Sequence, residues 1–191
     1  MTDITIIGKG RMGKAIASLA ERGGYAVQLL GSKDKDVEIA GAMAILAIHH
    51  DALETVLNER RASLAGKIVV DISVPVETAT FDRLLIAPDT SAAAEIAAAL
   101  PESKVVKAFS TNNFATIETG KIGGLTTTVF VASDHADATA AVSKLVTDGG
   151  LKAIDAGPLR RARELEAIGL LHVSLASRGQ IAWSDGFAIV G

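Results

Sequence analysis

The 191-residue sequence contains no cysteine. That excludes a disulfide scaffold, a thiolate nucleophile, an iron–sulfur cluster and any cysteine-ligated zinc. Aromatic residues are scarce, with one Trp, one Tyr and five Phe. Alanine is abundant instead, and small residues suit close packing of helices on a sheet. No run of roughly eighteen apolar residues occurs, so nothing reads as a membrane-spanning helix. Neither sign of charge dominates, and a formal net charge of −3 makes no electrostatic case for nucleic acid or an anionic membrane as partner. The sequence does not start with the basic stretch and apolar run of a signal peptide. The expectation is a soluble, cytoplasmic protein. What is plentiful is apolar content, 49% of residues, enough for a sizeable core without metal or disulfide support.

Strand-like and helix-like segments alternate, the pattern of a parallel α/β sheet covered on both faces. Ile4–Ile7 is a short β-branched run, after which Met12, Ile16, Leu19 and Ala20 recur at helical spacing. Val27–Leu30, Ala42–Ile48, Ile68–Val70, Val105–Phe109, Thr127–Ala132 and Lys152–Asp155 read as further strands. Helices are expected from about Asp51 to Gly66, after a Ser91 cap, over Ala136–Val146 and from Pro158 to about Ser177. On the last of these, Leu165, Ile168, Leu170, Leu171, Val173 and Leu175 are spread around the axis, so it wants covering on most sides.

Gly8-Lys9-Gly10-Arg11-Met12-Gly13 follows the first strand and opens the first helix. That is the context a G-x-G-x-x-G dinucleotide fingerprint requires. Gly8 permits a tight turn, Gly10 lets backbone amides approach a pyrophosphate, and Gly13 lets the helix lie close to the sheet. About twenty residues on, an NAD-binding protein usually places a carboxylate on the adenosine ribose. Here Gly31-Ser32-Lys33 stands there, a hydroxyl and an ammonium suited to a 2′-phosphate. This points to NADP, with Arg11 as a second cation towards the adenine. The alternative is an ordinary polar turn with Lys33 solvated beside Asp34.

These residues, with Val70-Asp71-Ile72-Ser73, Val105-Val106-Lys107-Ala108-Phe109 and the segment from Asp155 to Glu166, carry a resemblance across nearly the whole chain. The sequence resembles the NADP-dependent oxidoreductases related to the reductase of the deazaflavin coenzyme called factor 420, in particular their short bacterial members. The resemblance implies a Rossmann-type doubly wound, mainly parallel sheet over residues 1–155 and a helical C-terminal extension, 156–191, packed on the same domain. It implies hydride transfer between NADP and a flavin-like ring, with no dedicated catalytic acid or base. By the same resemblance Lys9, Arg11 and Met12 flank the pyrophosphate and Ser32 with Lys33 meets the 2′-phosphate. Ile48-His49 and Ser73-Val74 would lie near the ribose and nicotinamide. Two departures stand where the acceptor should bind. Val74-Pro75 replaces the family's frequent Asn-Pro, and Ala108-Phe109-Ser110 replaces Ala-Phe-Asn.

Other residues invite a role. His49 and His50 are adjacent at a strand end, but no Asp-Glu-His set completes a metal site. One of them can face the nicotinamide, or both can sit in solvent. Asp71 and Asp155 end strands, where aspartates most often cap loops. Ser110, Thr111 and Asn112, followed by Asn113, are candidate substrate contacts at the sheet's carboxyl edge. Arg160 can pair with Glu164 at i+4. That leaves Arg161 and Arg163 for an anionic substrate or a neighbouring subunit. Two functions follow. One is an NADP(H)-dependent oxidoreductase with a flavin-like, deazaflavin-like or quinone-like small-molecule acceptor. The other is a non-catalytic NADP(H) redox sensor acting through a protein partner. The apolar C-terminal segment, with Trp183 and Phe187 to Val190, further suggests a homodimer.

Overall fold

The computed structural model describes residues 3–190. In chain order it runs β1 (Ile4–Ile7), α1 (Arg11–Arg22), β2 (Val27–Leu30), β3 (Met43–Leu46), α2 (Leu53–Leu64), β4 (Ile68–Asp71), α3 (Ala92–Ala99), β5 (Lys104–Ala108) and α4 (Phe114–Thr119). A small hairpin of β6 (Lys121–Ile122) and β7 (Leu125–Thr126) follows, then β8 (Thr128–Ser133), α5 (Ala136–Asp148), β9 (Lys152–Gly157) and α6 (Ala162–Ser177). Short 3₁₀ turns at His50–Ala52 and Leu159–Arg161 lead into α2 and α6.

Seven strands form one sheet in the order β2-β1-β3-β4-β5-β8-β9. The five strands from β2 to β5 are mutually parallel, while β8 runs antiparallel to β5 and parallel to β9. The reversal follows from the connection. Between β5 and β8 the chain makes only α4 and the hairpin, and an antiparallel neighbour needs no full crossover helix. That excursion, residues 114–126, carries no periodic signal in the sequence. Its helix is short and its two strands have two residues each, too little for periodicity to register.

Side chains alternate across the sheet and divide the core in two. Ile4, Ile6, Ile45, Val70 and Val106 pack with Ile16, Leu19, Val142 and Leu145 of α1 and α5. Ile7, Ala44, Leu46, Val69 and Val105 pack with α2, α3 and the start of α6. Each fully buried Ile or Leu contributes about 1.5–3 kcal/mol, which is what fixes register on a sheet apolar on both faces. No helix of the described residues is long and apolar enough to cross a membrane.

One expectation is corrected in α6. The face it buries is Ala162, Leu165, Glu166, Gly169, His172 and Ala176, mostly small or polar. Ile168, Leu170, Val173 and Leu175 are half-buried and Leu171 is exposed. The helix lies close, backbone to backbone. A β-carbon on Gly169 would stand 2.6 Å from the Ser110 carbonyl oxygen and 2.7 Å from Val74 Cγ2. Large side chains on that face would hold the helix off the strand ends.

Candidate functional site

The strand order reverses around β1, with β2 on one side and β3 on the other, and the glycine-rich turn leaves β1 at that point. Crevices of this kind, at the carboxyl ends of parallel strands, are where doubly wound sheets bind ligands. Gly8 adopts φ +123° and hydrogen-bonds Leu30 O at 2.8 Å, while Ala47 N donates to Ile7 O at 2.8 Å. Side chains at Gly8 or Gly13 have no room: a β-carbon would overlap the Ala47 carbonyl at the first and the Gly8 carbonyl at the second. Gly10 differs, with nothing within 4 Å of the position a β-carbon would take. It caps α1 without a side-chain hydrogen bond, and no acidic residue occupies the first turn. The first amides and the helix dipole thus face open space, suited to a phosphate group.

Beside this turn lies a cavity of about 820 Å³ that brings together Gly8, Lys9, Gly10, Ser32, Lys33, Ile48 and His49. Also lining it are Asp34, Lys35, Glu59 and Arg60, which no motif in the sequence marks. Asp34 does not oppose Lys33. Its Oδ2 accepts from Lys9 Nζ at 2.7 Å and from the Gly31 amide at 2.8 Å, and the Lys9 bond above all holds its carboxyl below the ordinary value. Lys35 pairs with Glu59 at 2.6 Å. The buried Arg60 guanidinium donates to the Asp34 and Val37 carbonyls and pins the loop around the cavity mouth. Lys33 is exposed at the cavity and has no acceptor among the described residues.

Arg11 goes elsewhere. Its guanidinium stands 4.5 Å from the Phe114 ring centroid, on the α4 side of the turn, so it does not lie over the adenine side. Met12 is half-buried against the α1 core. His49 is exposed at the cavity, and His50 opens the 3₁₀ turn. No group of three or more metal-ligating side chains occurs among the described residues.

Ser73, Val74, Ser110, Thr111 and Asn112 do not line this cavity. They follow the ends of β4 and β5, where Val74 and Ser110 lie against Gly169 of α6. Phe109 takes φ +61°, an uncommon left-handed turn for a bulky residue, and directs Ser110 under Gly169. Thr111 is buried, Asn112 donates to Thr128 O at 2.9 Å, and Asn113 caps α4. The hydroxyls of Ser73 and Ser110 are buried without a hydrogen-bond partner among the described residues.

Under them is an ion network that the sequence gives little sign of. Lys107 Nζ contacts Asp71 Oδ2 at 2.6 Å, Glu166 Oε1 at 2.9 Å and the Ser73 carbonyl at 2.5 Å, and all three charged side chains are fully buried. Asp71 Oδ1 accepts from Ser73 N at 2.9 Å, and Glu166 accepts from the α3 amides of Ala92 and Ala93. Asp155 likewise caps its loop at Gly157, as expected of both strand-end aspartates. Arg161, not Arg160, pairs with Glu164, at 2.9 Å, and Arg163 donates to the Ala87 and Thr90 carbonyls. Both arginines are therefore occupied in holding the chain.

Burial pushes the Glu166 carboxyl above its ordinary value of 4.5, against the opposing pull of Lys107. A raised folded value means the native state binds the proton more tightly than the unfolded chain. That contribution to stability is full below about pH 4.5 and is lost as pH rises through the folded value. Glu166→Gln, which mimics the protonated acid, is expected to gain stability relative to the unsubstituted protein as pH rises above about 4.5. Urea unfolding as a function of pH measures it, and a constant difference would contradict the reading.

A doubly wound, mostly parallel sheet with an open glycine-rich turn at its switch point and a cavity beside it defines a Rossmann-class dinucleotide-binding protein. No family model matches the chain. It is 32% identical to an F420-dependent NADP reductase from Methanocaldococcus jannaschii over 166 residues, covering 85% of this chain and 74% of that one. It is 28% identical over 187 residues to the protein of the same name from Methanothermobacter marburgensis, covering 92% and 83%. The crystal structure of a candidate F420-dependent NADP reductase from Arthrobacter sp. FB24 superposes over 100% of both chains, with a TM-score of 0.86 and 23% identity. The chain belongs to the F420-dependent NADP reductase family of oxidoreductases.

Proposed function

We propose that the protein transfers hydride between NADP(H) and a small ring acceptor, with a deazaflavin first among flavin-like and quinone-like candidates. The observation that carries this is Lys33, unpaired among the described residues, beside Ser32 in the cavity, with the adjacent Asp34 engaged by Lys9 and Gly31 and Glu59 engaged by Lys35. The two archaeal relatives are named for the same cofactor pair. NADP, when bound, supplies the hydride chemistry of its nicotinamide ring. The chain's own residues bind and orient it. The α1 amides and Gly10 receive the pyrophosphate, Ser32 and Lys33 the 2′-phosphate, and Ile48, His49, Ser73 and Val74 flank the nicotinamide end. NADPH oxidation followed at its near-ultraviolet band with deazaflavin, flavin and quinone acceptors tests the reading. Turnover with none of them would overturn it.

One observation favours a second reading, an NADP(H) sensor acting through a partner. Ser110 and Thr111, where an acceptor should meet the sheet, are buried under α6. Binding of NADPH without turnover is its signature.

Cofactor choice gives a separate prediction. NADPH should bind at least tenfold more tightly than NADH, about 1.4 kcal/mol. Lys33→Asp should reverse the order, because a carboxylate repels the 2′-phosphate and accepts from a 2′-hydroxyl. Calorimetric titration with both nucleotides decides it, and equal affinities would remove the 2′-phosphate argument.

We also propose a homodimer through the C-terminal segment. Leu171, Trp183, Phe187, Ile189 and Val190 are all exposed. His172 anchors the tail through the Asp185 carbonyl at 2.8 Å and meets the Phe187 ring edge-on, while Trp183 packs edge-on against Phe81. Association of two copies is the commonest way to cover such an area. Light scattering at micromolar concentration should give twice the chain mass, and a stable monomer that binds NADPH would exclude the model.

A further inference from the structure

We propose that the Asp71–Lys107–Glu166 network builds the nicotinamide half of the NADP(H) site, with Lys107 and Glu166 as positioning residues acting through the Ser73 peptide. The inference rests on the reading that NADP(H) is the cofactor. Strand register supplies the placement. Ile7 pairs with Leu46, and Leu46 with Asp71, so Gly8, Ala47 and Ile72 leave three neighbouring strands side by side at the carboxyl edge. A dinucleotide with its adenosine over Ser32 and Lys33 and its pyrophosphate at Gly10 continues along this edge to Ser73.

Ser73 is gripped on both sides of its α-carbon. Asp71 Oδ1 accepts its N–H at 2.9 Å, and Lys107 Nζ donates to its carbonyl at 2.5 Å. The remaining donors of Lys107 go to Asp71 at 2.6 Å and Glu166 at 2.9 Å, so the ammonium has no freedom to turn away. Glu166 adds a bond to each of two α3 amides and thereby joins β4, β5, α3 and α6 at one buried point. The Ser73 hydroxyl, buried and without a partner among the described residues, is the one polar group of that residue the network leaves unspent. Two carboxylates around one ammonium are an expensive way to fill a core, since well-packed apolar residues would be as stable or more so. A network that merely holds the fold together does not need the charge. One that fixes a backbone segment against a ligand ring does.

The test separates the two ends of the site. Calorimetry compares NADPH with 2′-phospho-ADP-ribose, which lacks the nicotinamide. The unsubstituted protein should favour NADPH by about tenfold or more. In the neutral, near-isosteric variant Asp71→Asn/Lys107→Met/Glu166→Gln that preference should fall to about twofold or less, with the affinity for 2′-phospho-ADP-ribose kept within about twofold. A purely structural role would move both ligands together or neither, and either result overturns the proposal. Amide exchange on the unsubstituted protein makes the question independent of the variant's folding. Residues 72–76 should gain protection with NADPH and not with 2′-phospho-ADP-ribose, and equal protection by both, or by neither, would refute the assignment. An unsubstituted protein that binds neither ligand would instead sink the NADP(H) reading on which the proposal stands.

Discussion

Gly10→Val is expected to weaken NADPH binding by at least about 100-fold, some 2.7 kcal/mol, while leaving the fold intact. The separation arises because a β-carbon at Gly10 would meet no protein atom within 4 Å. An isopropyl group there fills only the space over the α1 amides, which is the space a pyrophosphate needs. Gly10 has φ −71°, ψ −177°, extended backbone that valine adopts readily, so no strain is added. The neighbouring glycines provide the contrast. Gly8 sits at φ +123° against the Ala47 carbonyl, and Gly13 lies against the Gly8 carbonyl, so Gly8→Ala or Gly13→Ala should destabilise the protein and lose binding together. Circular dichroism and thermal unfolding report the fold, and nucleotide fluorescence titration reports binding. Retained affinity in a folded Gly10→Val protein would mean that the dinucleotide does not pass over this turn.

How far the sequence foretold this site depends on whether its residues are neighbours along the chain. The turn beginning at Gly8 and the pair Ser32–Lys33 each follow a strand at fixed spacing, and Gly8, Lys9, Gly10, Ser32 and Lys33 meet around one cavity, whereas Arg11 turns to Phe114. Arg60 joins them from the buried side of α2, where a cation in an otherwise apolar helical stripe is a weak signal. The Arg60 contacts also depend on a loop path that periodicity does not describe. Ser110 and Thr111 stand just past the end of β5, but the burial of Ser110 follows from α6 packing there through Gly169, which is a property of tertiary contact. The large apolar residues of α6 drew attention to the wrong face for the same reason. Lys107 did leave a trace, as one charge within the apolar run Val105–Ala108. Nothing local, however, connects it to Glu166, 59 positions later. The partner is set by how the last helix docks.

Lys107→Ala is expected to cost about 3–5 kcal/mol of stability, the range for removing one partner of a buried ion pair. The substitution would strand Asp71 and Glu166, both fully buried, without their shared cation, and take the donor from the Ser73 carbonyl. Two carboxylates in such a place cannot both stay ionised, so at least one must take up a proton or the segment must open to water. The loss corresponds to roughly 6–20 °C in midpoint for a domain of this size. It should also be strongly non-additive. Adding Asp71→Asn and Glu166→Gln, which remove the stranded charges, should recover at least half of what Lys107→Ala loses, because the three side chains act as one unit. Urea unfolding of the single and triple variants at pH 7 measures both quantities. A single variant within about 1 kcal/mol of the unsubstituted protein would show that water or rearrangement reaches the network without cost. Strict additivity would show that the three charges do not interact.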